Sequence, residues 1–264
     1  MAAVIEYPAG TPSWVDLSSP DLDASASFYG ELLGWDAAAG ERPAEETGGY
    51  RMFTNGGAEV AGLGPAQPGR PPAWTTYVAV DDVSAVKSRI ESAGGSTVMD
   101  ALQVMDAGTM AIFTDPEGAV FAVWEADRHR GAQLVNGPGA LTMNELRTRD
   151  LAAATSFYGE VFGWAVEPIE QGGQVVYAGV TLGGRLVAGM LPMGEAFPSG
   201  LPAHWIPYFG VPDVDAAAAM AKGLGGQALT EPMAVPKGRF VALSDPQGAA
   251  FMVLEGQYDA PPGA

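Results

Sequence analysis

The residues Trp14-Val15-Asp16-Leu17-Ser18 alternate between two kinds of side chain, the period-two pattern of a strand with one buried face. Val15 and Leu17 point one way, towards an apolar packing layer, and Trp14, Asp16 and Ser18 point the other way. An amphipathic helical run follows. It opens near Pro20-Asp21, where the Asp21 carboxylate can cap free N–H groups, and stops at Gly34. The same grammar returns three times, predicting helices from Asp82 to Gly94-Gly95, from Asp150 to Gly163 and from Asp213 to Gly225-Gly226. Short β runs punctuated by glycine come after each helix, as around Asn55-Gly56-Gly57 and Leu182-Gly183-Gly184. The pattern predicts four βαβββ modules at about 11–65, 72–127, 139–193 and 203–256. The stretches AQPGRPP, DRHRGAQLVNGPG and GEAFPSGLPA between them have linker composition.

The modules also repeat as pairs. FYGELLGW at 28–35 returns as FYGEVFGW at 157–164, TDPEGAVFAVWE at 114–125 as SDPQGAAFMVLE at 244–255, and WTTYVAVDDV at 74–83 as WIPYFGVPDV at 205–214. The offsets of 129, 130 and 131 residues, in constant order, indicate a tandem duplication. One module can cover one face of its sheet with a helix but leaves the other face bare. Pairing two modules closes that face into a cup, and a concave surface is where small ligands bind. Four modules in one chain can form both cups without a partner, so either a monomer or a homodimer is compatible.

Length agrees with the repeat, because 264 residues favour two domains. No apolar run reaches the roughly 18 residues of a membrane span. The opening MAAVIEYPAGTP lacks the basic and apolar segments of a secretory leader, so a cytoplasmic protein without a membrane partner is expected. The absence of cysteine excludes disulfides, thiolate metal sites and cysteine nucleophiles. A net charge of −18 repels phosphates, so no nucleic-acid partner is expected. Neither a G-x-S-x-G nor a G-x-x-x-x-G-K-[ST] motif occurs.

The module grammar, the FYGELLGW segment and the DPEG/DPQG turn before the last strand together resemble the vicinal-oxygen-chelate superfamily of glyoxalases, bleomycin-resistance proteins and dioxygenases. Among its members the chain is most similar to actinobacterial tandem-domain glyoxalase-like proteins. The resemblance spans about residues 11–256. It implies an α+β fold of two tandem domains, at 8–127 and 139–258 with a linker at 128–138, each a pair of βαβββ modules forming a cup-shaped sheet. Metal-using members draw His, Glu or Gln ligands from the first and last strands of each module. The matching positions here are Trp14, Thr75, Ala122, Met143, Ile206 and Met252, with the remaining two falling in Val60–Gly62 and Val187–Gly189. A first-row divalent metal needs three or four N, O or thiolate donors, which these residues do not supply. No cofactor is therefore expected, a relocated site of carboxylates with His204 being the one exception.

Strand alternation nominates what lines the cups instead. Asp16 and Glu145 stand two residues beyond the lost first-strand ligands, and Tyr77 and Tyr208 occupy the equivalent place in the partner modules. Trp14, Trp74, Trp124 and Trp205 supply flat apolar walls, Met143, Met190, Met193 and Met252 adaptable ones, and Arg147 and His204 polar ones. His129 in DRHR is expected in solvent, and Trp35 and Trp164 are expected to be packing residues. The foremost reading is a metal-free protein that binds a small, mainly apolar or aromatic organic ligand. The alternatives are a metal-independent cyclase, isomerase or hydrolase with Asp16 or Glu145 as general base, and a metal-dependent glyoxalase or dioxygenase. A purely structural role, such as Glu145 paired with Arg147, competes with each.

Overall fold

A computed structural model describes residues 2–3, 6–39, 47–236 and 238–258. After a short strand β1 (Ala2–Ala3), the first module runs β2 (Pro12–Ser19), α1 (Leu22–Leu33), β3 (Asp36–Ala39), β4 (Arg51–Asn55) and β5 (Ala58–Pro65). The second runs β6 (Ala73–Ala79), α2 (Val83–Ser92), β7 (Ser96–Val104), β8 (Gly108–Thr114) and β9 (Val120–Ala126). A two-residue strand β10 (Leu134–Val135) leads to the third module: β11 (Leu141–Thr148), α3 (Leu151–Phe162), β12 (Ala165–Gln171), β13 (Gln174–Leu182) and β14 (Arg185–Pro192). The fourth is β15 (His204–Gly210), α4 (Val214–Gly223), β16 (Gln227–Ala228), β17 (Met233–Val235), β18 (Gly238–Ser244) and β19 (Ala250–Gly256). Each helix starts on the predicted aspartate. Asp21, Asp82, Asp150 and Asp213 accept from the N–H of Ala24, Ala85, Ala153 and Ala216 at 2.9–3.0 Å.

The modules pair in sequence order. One sheet has the strand order β3-β4-β5-β2-β6-β9-β8-β7 and the other β12-β13-β14-β11-β15-β19-β18-β16. In both, the first strands of the two modules meet antiparallel at the centre, β2 with β6 and β11 with β15. This is the α+β arrangement of two cup-shaped sheets. Among the described residues no helix is long and apolar enough to cross a membrane.

The helical layers join the halves more intimately than the repeat alone implies. One core packs α1 with α4 and with Phe209 and Phe251 of the second sheet. A second packs α2 with α3 and unites Phe121 and Ile90 with Tyr158 and Trp205. The convex faces of the two sheets therefore share their cores, and the concave faces point away from each other. The repeated FYGE-x-x-GW segment serves this junction. Tyr29 donates to Asp245 Oδ2 at 3.2 Å, and Tyr158 donates to Asp115 Oδ2 at 3.1 Å. Trp35 donates to the Gly139 carbonyl at 2.8 Å and Trp164 to the Gly10 carbonyl at 2.7 Å, so both are packing residues as expected. The aspartates are those of the DPEG and DPQG turns, which gives each turn a partner in the opposite half.

Trp74 and Trp205 require a correction. Neither lines a cup: both lie in the shared cores, Trp74 donating to the Tyr29 hydroxyl at 3.1 Å and Trp205 to the Tyr158 hydroxyl at 2.9 Å, and Met190 and Met193 pack in the second of these cores as well. The reason is phase: Trp74 shares a face with Thr76 and Val78, and that face packs against the other half. On that face the Thr76 hydroxyl donates to Asn144 Oδ1 at 2.8 Å, which explains a polar residue on the helix side of β11.

Candidate functional site

The first cup is built around Asp16. On β2 it pairs across the sheet with Thr75 and Gly62, while Trp14 pairs with Tyr77, and Tyr77 in turn with Ala122. Paired residues share a face, so these side chains converge. Asp16 Oδ1 accepts from the Tyr50 hydroxyl at 2.5 Å and from Trp14 Nε1 at 2.7 Å, and the Tyr77 hydroxyl is a further donor. Solvent still reaches part of Asp16, yet protein surrounds it at the base of the concavity. Burial pushes its carboxyl above the usual range, against the opposing pull of hydrogen bonds from Tyr50, Tyr77 and Trp14 and of the nearby His129 imidazole. The same burial holds the Tyr50 and Tyr77 phenols protonated, as donors.

His129 departs from expectation. Its side chain is only 10% exposed, because residues 128–135 cross the cup as a strap instead of looping into water. Ala132 N donates to Ser13 O at 2.8 Å, Gln133 N to Glu59 O at 2.7 Å, and Trp124 Nε1 to the His129 carbonyl at 2.7 Å. The imidazole packs edge-on against Trp14 at 4.3 Å and near Trp124 at 5.7 Å, with Nδ1 2.9 Å from Glu59 Oε2. That contact is the main cause holding the Glu59 carboxyl below its ordinary value.

The second cup repeats the plan with different chemistry. Glu145, 2% exposed, accepts from the Tyr208 hydroxyl at 2.7 Å and from Arg147 Nε at 3.2 Å. Burial raises its carboxyl, while Arg147 first and Tyr208 second oppose the rise. Arg147 reaches on to Met252 Sδ at 3.3 Å and lies 5.5 Å over the Phe197 ring. Met143, Phe240 and Leu254 pack around Ile206, Tyr208 and Met252 to form an apolar wall. His204 pairs with Arg147 across the strands at the rim and is tied through Nδ1 to the Pro202 carbonyl at 2.8 Å. Its pKa is lowered by burial and then by Arg147.

Trp14, Asp16, Tyr77 and Trp124 thus gather in one cup, and Met143, Glu145, Arg147, Tyr208 and Met252 in the other, with His204 at its edge. Two residues escaped the sequence reading. Tyr50 and Tyr177 each lay a hydroxyl over the glycine that faces the acid, Gly62 or Gly189. A Cβ on Gly62 would stand 1.9 Å from both Asp16 Oδ1 and the Tyr50 oxygen, and one on Gly189 would stand 1.8 Å from the Tyr177 oxygen. The signal was available: the two tyrosines are 127 residues apart, as are the two glycines.

These donors do not fit the metal that the fold family implies. Position 62 or 189 has no room for a ligand side chain, because the tyrosine hydroxyl fills it. The other facing positions carry indole, methyl, thioether or hydroxyl groups, and the Arg147 guanidinium repels a cation in the second cup. Among the described residues no three His, Asp or Glu side chains converge on a common point, and His204 joins no carboxylate.

Comparison with known proteins finds relatives over most of the chain. CFP32 of Mycobacterium tuberculosis, which carries a provisional glyoxylase name, is 43% identical over 256 residues, covering 95% of this chain and 96% of that one. The anthracycline biosynthesis protein DnrV of Streptomyces peucetius is 38% identical over 269 residues, covering 94% of each. Among solved structures, the Mn(II)-bound glyoxalase of Novosphingobium aromaticivorans has a TM-score of 0.66 at 18% identity, over 98% of this chain and 86% of that one. The 2,3-dioxygenase LapB of Pseudomonas sp. KL28 also reaches 0.66, at 14% identity, over 98% and 96%. These two likenesses speak for the fold alone. Residues 11–123 and 140–253 each match one family, and the chain belongs to the Glyoxalase/Bleomycin resistance protein/Dioxygenase superfamily.

Proposed function

We propose that this chain binds a small, planar, mainly apolar or aromatic molecule in its second cup, without a metal ion, and docks an oxygen-bearing edge of that molecule on Arg147. One observation carries the reading. The Arg147 side chain is 13% exposed, its Nε is held by Glu145, and its Nη2 meets only the thioether of Met252, a weak acceptor. The remaining guanidinium hydrogens face no protein oxygen among the described residues, so a buried cation is oriented with donors to spare. The wall of Met143, Met252, Phe240 and Leu254 suits an apolar body, and methionine adapts to irregular shapes. The relative DnrV is named for anthracycline biosynthesis, and anthracyclines are planar aromatic molecules with oxygen-rich edges.

The test is a calorimetric titration of chelator-treated protein with 1,8-dihydroxyanthraquinone. Saturable binding of one molecule per chain is expected. The paired variant E145Q/R147M, which removes both charges together, should bind at least about tenfold more weakly, the cost of losing one charge-assisted hydrogen bond. No binding, or equal binding by the variant, would overturn the proposal. A second reading, acid–base chemistry, is favoured by the burial that holds Asp16 and Glu145 above the ordinary carboxyl range. Conversion of a bound ligand to a new species, lost in D16N or E145Q, would establish it.

A further inference from the structure

His129 is a buried side chain in the first cup whose chemistry is left incomplete. The Glu59 carboxylate can only accept, so the hydrogen shared between them belongs to Nδ1, and in the neutral form of the ring Nε2 is then a bare lone pair. That nitrogen is buried and has no hydrogen-bond partner. Buried polar atoms are nearly always paired, and leaving one unpaired costs free energy.

The indole and phenol donors around it are already engaged, whereas Ser13 Oγ, on the strand beneath the strap, is buried without a partner like Nε2 itself. Trp14 Nε1 points to Asp16 and Tyr50, Trp124 Nε1 to the His129 carbonyl, and the Tyr50 and Tyr77 hydroxyls to Asp16. A partner for the neutral Nε2 must be a donor, and no side chain among the described residues supplies one at hydrogen-bond distance. Its surroundings define the rest. Trp14 and Trp124 flank the imidazole with flat rings, and the partly buried Met52 and Met110 close the same cluster with unbranched side chains that can yield to a guest.

We propose that the first cup holds a second ligand site, separate from Arg147, for a phenolic hydroxyl, in which His129 Nε2 accepts the O–H hydrogen bond and the ring lies among Trp14, Trp124 and the two methionines. Glu59 fixes the tautomer from the far side of the imidazole, and the strap formed by residues 128–135 holds the ring in place through its bonds to Ser13 O and Glu59 O. The site stands or falls independently of ligand binding in the second cup.

The chain has two histidines, which makes the test direct. In protein labelled with 15N at histidine, the imidazole nitrogens give two resolvable sets of signals, and H204N assigns them without touching the first cup. Phenol, added in steps, should move the His129 Nε2 resonance saturably upfield, the direction for a pyridine-type nitrogen that gains a hydrogen-bond donor, and should leave His204 in place. Anisole has the same ring without the O–H and should produce no such shift. No movement of His129 with phenol would overturn the proposal, as would an equal shift with anisole or a non-saturating drift of both histidines together. A failure of anthraquinone binding at Arg147 would leave these signals unaffected, so the two proposals are separately decided.

Discussion

The two cups descend from one duplicated plan and have diverged in how each neutralises a buried acid. In the first, Asp16 is held by an indole and two phenols, a set of neutral donors, and the strap carrying His129 covers the opening. In the second, Glu145 is held by one phenol and a guanidinium, and the surplus donors of that guanidinium remain inside an apolar wall. The frame common to both is the acid, the facing glycine and the tyrosine lying over it. The difference that sets their electrostatics is the Arg147 cation. A cup with a charge pair can recognise a polar edge strongly, whereas a cup with neutral donors and a capped mouth favours a small neutral guest.

This contrast predicts unequal responses to mutation. The largest is expected for R147M, which leaves Glu145 buried without its counter-charge. Urea denaturation should show a loss of about 3–5 kcal/mol, most of it recovered in E145Q/R147M. If R147M is nearly silent, the second cup is wetter than its geometry implies. Next come G62A and G189A, where the added methyl must displace the tyrosine hydroxyl. Each should cost about 1–3 kcal/mol by the same assay, with relief when combined with Y50F or Y177F. A silent G62A would mean that Tyr50 does not lie over Asp16.

Smaller still is D16N. The amide keeps an oxygen acceptor for Trp14 and Tyr50, so stability at neutral pH should stay within about 1 kcal/mol of the parent. D16A, which strands those donors, should lose more. The smallest effect concerns acidity. Burial raises the carboxyls of Asp16, Glu145, Asp115 and Asp245 in the folded chain above their ordinary values of 3.8 for Asp and 4.5 for Glu. The folded state therefore binds more protons between those values and the raised ones. The stability these groups contribute is complete at the acid end of that window and is lost as pH rises through it. Thermal unfolding followed downward from neutral pH towards the ordinary carboxyl values should show these groups' contribution rising, and D16N and E145Q should each flatten the slope.

Much of this was readable from residue order. The offsets of the repeat established two cups, the capping aspartates placed four helices, and the alternation of Val15 and Leu17 against Asp16 assigned the carboxylate to the concave face. Glu145 followed the same logic, although Asn144 interrupts the apolar face for a reason that only the contact with Thr76 reveals. What local pattern could not convey was long-range. His129 enters the cup because the strap bonds to Ser13 and Glu59, far away in sequence, and a basic linker looks the same whether or not it makes such bonds. Trp74 and Trp205 were misplaced because aromatic character was given more weight than strand phase. Tyr50 and Tyr177 act by reaching over a glycine, a relation visible only once the strands are in register. The packing of α1 on α4 and of α2 on α3 has no counterpart in the periodicity of any one module.

The central claim is that the second cup binds its ligand through Arg147 and without a metal ion. Native mass spectrometry of chelator-treated protein mixed with 1,8-dihydroxyanthraquinone tests both parts at once, because mass distinguishes a ligand adduct from a metal adduct. The account predicts one ligand per chain at the metal-free mass for the parent and for D16N, and loss of that adduct in E145Q/R147M. An adduct that forms only after a divalent metal is added, or that persists in E145Q/R147M, would contradict it.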